Sequence, residues 1–237
     1  MTTSGTYDFN PSLGELTLYA YNLAGLRNTS VLQEHMEAAR MATNMMLSRW
    51  SNQGVNLWKV DLVTVPLVEG QKSYDVDLKT IMVLDAYVTI DDGNGNPIDR
   101  IISPVSRTEY ASYPNKDQQG FTTVFWFDRL NGTTTGNKPS VTLWPVPDGS
   151  SAQYLKYYRV IRLEDAAFSN GQTVDIPYLW FEAFADGLAY RLARVWNPPM
   201  APGLKMLADE SYQIAASQNI EQAQQYISPQ ISGYYRP

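Results

Sequence analysis

The sequence predicts an α+β fold in which N- and C-terminal helices form one helical bundle and an antiparallel β-sandwich or partial barrel is inserted between them. Three observations carry this reading. Apolar residues recur at helical spacing over residues 13–23 and 32–50, and again from Phe181 to Val195. Between them, from Trp58 onward, runs of β-branched and aromatic residues of strand length alternate with turn signals. Helices at both ends and strands in the middle imply that the termini pack together. The expected limits are residues 1–58 and 175–227 for the bundle, 59–174 for the inserted β domain and 228–237 for an extended C-terminal arm.

The first helical block is a hairpin. Leu13 to Leu23 forms a short helix ended by Gly25, and a longer helix starts from a polar cap at Thr29 or Ser30. Leu32, Met36, Ala39, Met46 and Trp50 fall on the buried face of that helix, and Gly54 closes it. Strands are expected over Val60–Val68, Ser73–Val76, Ile81–Ile90, Phe121–Phe127, Val141–Val146 and Tyr154–Leu163. In the last of these, Leu155, Tyr157, Ile161 and Leu163 share one face and Lys156, Tyr158 and Arg162 the other. Asp91 to Pro97 reads as a hairpin turn, Ser106 to Tyr113 as a short helix, and Asn131 to Lys138 as a projecting polar loop. The second long helix begins at Pro177 and buries Phe181, Phe184, Leu188, Leu192 and Val195. Asn197-Pro198-Pro199 stops it, and a more polar helix follows from Pro202 or Gly203 to Tyr226.

Composition excludes more chemistry than it admits. The chain has 237 residues, 44% of them hydrophobic, so it can build a genuine core. A net charge of −6, with Lys and Arg scattered singly, argues against tight nucleic-acid binding, which needs clustered cations. With no cysteine there is no disulfide framework, thiolate zinc site or cysteine nucleophile. A single histidine, His35, leaves no multi-histidine metal site and reads as an ordinary helix residue. Asp92, Asn94 and Asn96 open like a calcium loop, but Pro97 stands where glycine is needed and Ser103 where the bidentate glutamate belongs. No phosphate loop, dinucleotide fingerprint or nucleophile elbow occurs. No signal peptide or spanning segment is apparent, so no membrane partner is expected and the chain reads as made in the cytoplasm. No cofactor and no enzyme activity are expected.

Four segments share their order with a known family. Met45 to Trp58 is a helix ending in tryptophan, a polar link and glycine, and Val65 to Tyr74 is a strand, a Gly-Gln turn and a tyrosine strand. Leu143-Trp144-Pro145-Val146-Pro147-Asp148 is a strand with a proline-rich end, and Ile176-Pro177 leads into an aromatic, alanine-rich helix. Together they resemble the head-to-tail adaptors of short-tailed bacteriophages, the tail accessory factor family, over residues from about 30 to 225. The resemblance implies a structural virion protein at the head-tail junction. It also implies a homo-oligomeric ring of twelve copies, portal protein above, tail nozzle or tail fibre proteins below, and DNA passing through the lumen without specific binding. The Asn131 to Lys138 loop and the short arm, whose one charged side chain is Arg236, depart from the family pattern.

On this reading the candidate ring-interface residues are Met41, Met45, Trp180 and Trp196, which extend the apolar faces beyond one stripe, and the charged residues Glu182, Asp186, Arg191 and Arg194. The arm, with Tyr226, Ile231, Tyr234, Tyr235, Arg236 and Pro237, is expected to order against the portal. Two rivals come from other classes. A carbohydrate- or receptor-binding tail protein would use the Tyr154, Tyr157 and Tyr158 region, and a peptidoglycan hydrolase would use carboxylates such as Glu15, Glu182 or Asp186.

Overall fold

A computed structural model describes residues 5–54, 57–91, 96–129, 138–169 and 171–219. Among these the helices are α1 (Leu13–Leu23), α2 (Gln33–Asn52), α3 (Arg107–Ser112), α4 (Phe181–Trp196) and α5 (Ala201–Ser217). The strands are β1 (Val60–Pro66), β2 (Ser73–Asp75), β3 (Thr80–Asp91), β4 (Pro97–Pro104), β5 (Val124–Asp128), β6 (Ser140–Trp144) and β7 (Gln153–Ile161). The fold is α+β, with helices at both ends and one inserted sheet.

Helix α1 starts on a capping box: Ser12 Oγ accepts from Glu15 N, and the Glu15 carboxylate accepts from Ser12 N at 2.8 Å. Helix α2 starts later than its polar residues predict. Thr29 and Ser30 lie in a separate 3₁₀ turn, Leu32 is the N-cap residue, and His35 Nδ1 accepts from Leu32 N at 3.2 Å. The buried stripe of α2 is therefore His35, Ala39, Thr43, Met46, Leu47 and Trp50, while Leu32 is 60% exposed. Helix α4 buries Phe184, Leu188 and Leu192 as expected, but Val195, on the same face one residue from the helix's end, is exposed.

The helices from the two ends of the chain enclose a single apolar cluster. Tyr21, Met46, Trp50, Trp180, Phe184, Leu188 and Leu192 lie at its centre, with Leu163, Ala166, Val174 and Ile176 from the chain after β7 packed into it. Trp180 sits between Trp50 at 5.2 Å and Trp58 at 5.3 Å between ring centroids. Asn197 Nδ2 donates to Ala24 O at 2.9 Å, which fastens the end of α4 to the end of α1. Gly187 lets α2 and α4 approach closely, since a Cβ there would meet Met46 Sδ at 2.8 Å.

The strands form one sheet in the order β1-β7-β3-β4-β5-β6-β2. It is a curled half barrel. Seven flat strands would put β1 and β2 about 29 Å apart, at roughly 4.8 Å per gap. The chain from Pro66 to Ser73 spans at most about 25 Å, so joining opposite edges through residues 67–72 requires curvature. The concave side closes on Tyr74, Val88, Ile102, Phe125, Val141, Leu143, Leu155 and Tyr157. Strand β4 carries no apolar alternation, which is why the residues do not announce it; only Ile102 among its positions is buried. It pairs with β3 from Ala86↔Ile102 to Asp91↔Pro97. Strand β7 buries Gln153, Leu155 and Tyr157, but beyond them Val160 is buried while Ile161 is only half-buried; β3 opposite carries a bulge between Val83 and Ala86. Leu163 joins the helical cluster and not the sheet's core.

Two expectations follow. Phe184→Ala leaves a void among packed helices and lowers stability by about 3–5 kcal/mol, read from the urea midpoint at unchanged m-value. Tyr21 donates its hydroxyl to His35 O inside the core, and burial pushes its pKa up to about 12. The native state holds that proton while the unfolded chain releases it near pH 10. Stability therefore falls as pH rises from about 10 through 12, and Tyr21→Phe, measured by denaturation at each pH, flattens that fall.

Candidate assembly interface

The surface of the helical body is more apolar than a solvated face requires. Met41 and Met45, one turn apart on α2, are 52% and 65% exposed, and Met206 and Ile214 on α5 are 74% and 60% exposed. The other two apolar candidates lie elsewhere. Trp180 is a core residue at 3% exposed, because the 3₁₀ turn Tyr178–Trp180 directs it inward before α4 begins. Trp196 is half-buried and stacks on His35 at 4.1 Å, so the lone imidazole holds a helix start and packs an indole.

The charged candidates do not pair among themselves. Glu182 is exposed and Asp186 half-buried, and neither makes an ion pair with another described residue. Asp186 and Arg191 are five residues apart, hence about 140° apart around the helix, too far to meet. Arg191 turns back, and its Nη1 donates to Gly187 O at 3.0 Å. The Arg194 guanidinium lies 5.9 Å from the centre of the Tyr190 ring.

The fold also gathers what the sequence scatters. Arg49 from the last turn of α2, Arg191 from α4 and Lys205 from α5 line one cleft of about 360 Å³, together with Gln53, Asp209 and Tyr212. Burial lowers the Arg191 pKa, and Arg49 beside it acts in the same direction. Sequence spacing conceals this cluster; the one available signal is Arg49 continuing the Met41, Met45 stripe at four-residue intervals.

The features of the rival readings disperse. Glu15 is engaged in the α1 cap, where hydrogen bonds from Ser12 lower its pKa. Tyr157 is buried in the sheet's core, whereas Tyr154 and Tyr158 face outward, so the three rings share no platform. Among the described residues no group of three or more His, Asp or Glu could hold a metal ion, and no helix is long and apolar enough to cross a membrane. Residues 92–95 of the calcium-like turn, most of the Asn131 to Lys138 loop, and the arm residues Tyr226, Ile231, Tyr234, Tyr235, Arg236 and Pro237 lie outside the described residues.

Compared with known families, the chain matches the one described as SU10 adaptor protein over residues 22–233. Among curated proteins, no sequence matches it.

The cleft generates its own expectation. Arg191→Met keeps an unbranched apolar stem, removes a partly buried charge and relieves its repulsion with Arg49. The isolated subunit should therefore melt at the same or a higher temperature, measured by calorimetry at low salt; a clear drop would mean that the guanidinium is needed to hold the helices together.

Proposed function

Because the chain belongs to the SU10 adaptor protein family, a family of phage head-tail adaptors, we propose that it forms a ring joining the phage portal to the tail and lines part of the DNA exit channel. Membership makes it a phage adaptor structural protein; the ring, its portal contact and its channel are what we propose beyond that. The observation that carries it is the exposed methionine stripe of α2 beside a cleft whose three cations make no ion pair with any other described residue. A monomer gains nothing from either feature. A heterologous contact that closes on itself covers both in every copy, and contacts of this obligate kind bury roughly 2,000–5,000 Å². Met41, Met45, Arg191 and Arg194, with Glu182 and Asp186, are the proposed interface side chains, and twelve is the proposed copy number.

The two apolar clusters supply a division of labour. We assign assembly to the helical body, formed by the two ends of the chain, and tail-side contacts to the inserted β domain. The C-terminal arm, residues 228–237, is assigned to the portal, with Tyr226, Ile231, Tyr234, Tyr235, Arg236 and Pro237 as its contacts. Ordering such a segment is entropically costly, and aromatic burial repeated over many equivalent copies offsets that cost. An acidic subunit suits a channel that must release DNA, since weak, salt-sensitive contacts do not arrest it. The protein is accordingly placed at the head-tail junction of the virion.

Electron microscopy of purified protein mixed with portal rings tests this directly: a second ring stacked beneath the portal is expected, and a monomer that ignores the portal overturns the reading. Met41→Glu with Met45→Glu should leave the subunit folded but prevent ring closure. Deleting residues 228–237 should lose portal binding and keep ring formation, and undiminished binding would reject the role of the arm.

A further inference from the structure

The cleft between α2, α4 and α5 holds three cationic side chains against one carboxylate, Asp209. No ion pair joins any of the four to another described residue. Elsewhere some cations are paired closely, as Lys72 with Asp117 at 2.9 Å, Arg159 with Asp61 at 2.7 Å, and Lys59 with Asp175, while Arg100 and Lys156 lie over aromatic rings. Arg191 offers five donors, and among the described residues one carbonyl, that of Gly187, accepts from it. Like charges gathered in a partly dry cleft oppose folding unless an anion completes them.

We propose that the cleft is a carboxylate receptor whose occupant is Glu182 and Asp186 of the adjacent copy. This rests on the ring reading given above and adds its electrostatic lock. Glu182 and Asp186 stand one helical turn apart and so present two carboxylates about 6 Å from one another, a two-pronged group for a cleft bearing two guanidiniums and an ammonium. Both acids lack an ion-pair partner among the described residues of their own chain. They also occupy a different flank of α4 from Arg191, so a subunit carries the receptor on one side and its complement on another. Head-to-tail repetition then supplies one acid pair for each cleft, and closing the ring leaves none over. A DNA phosphate is the poorer occupant, because a subunit of net charge −6 repels the duplex before it arrives.

Charge reversal in two halves tests this. Arg49→Glu with Lys205→Glu makes the cleft acidic, and Glu182→Lys with Asp186→Lys makes the complement basic. Arg49 and Lys205 line the cleft, Glu182 is exposed and Asp186 half-buried, and circular dichroism checks that each variant folds. Assembly is followed by sedimentation and electron microscopy, alone and with portal rings. Each variant alone should need on the order of tenfold higher concentration, or more, to assemble. An equimolar mixture should recover wild-type assembly, because alternating copies restore every contact. Wild-type rings whose cleft-reversed variant assembles unchanged would overturn the receptor and leave the ring standing, as would reversal that abolishes only retention of duplex DNA. A mixture that fails to recover also counts against this pairing. Wild-type protein that never assembles would remove the ring itself, and the receptor with it.

Discussion

Helix α4 is packed on three sides, by α1, α2 and α5, and the side chains it contributes to those contacts include some of the most deeply buried in the molecule. Phe184, Leu188 and Leu192 fill the interior, while Ala183, Ala185, Ala189 and Ala193 keep the neighbouring helices close. Small residues on those faces let three helices pack against α4 at once, so its burial draws on both ends of the chain. The inserted sheet depends on this as well, because its first and last strands emerge from that body as neighbours, with Val60 opposite Val160.

The architecture was legible because period and length separate its parts. Sixteen residues of α4 repeat their apolar positions at three and four, and the β runs are too short and too branched to compete as helices. What was not legible has local physical causes. Strand β4 hid because Pro97, Asp99, Arg100 and Pro104 break any alternation, and pairing with β3 and β5 defines it. The start of α2 hid because an imidazole, and not a hydroxyl or carboxylate, accepts the exposed amide. Trp180 read as spare surface because nothing in the sequence shows that the 3₁₀ turn before α4 aims it between two other indoles.

The candidate interface divides in the same way. Met41 and Met45 were visible as an excess over one helical stripe, and they are exposed. The cation cleft was not visible, since Arg49, Arg191 and Lys205 come from three helices far apart in the chain. Overall charge misleads here: an acidic total says how the subunit behaves at a distance, whereas the three helices decide what a partner meets on contact. Both properties suit the proposed ring, in which neighbours are held firmly and a duplex loosely.

The stem between the two bodies is doubled. The chain leaves the helices at Trp58–Lys59 and returns at Ile161–Leu163 through adjoining strands, and three ties brace the crossing: Lys59 to Asp175, Asn44 to both polar groups of the Ala166 peptide, and Arg159 to Asp61. A single tether would let the sheet swivel freely beneath the helices, whereas a braced pair of strands resists torsion and permits only bending. Torque applied to the β half is thereby delivered to the helical half with little slack.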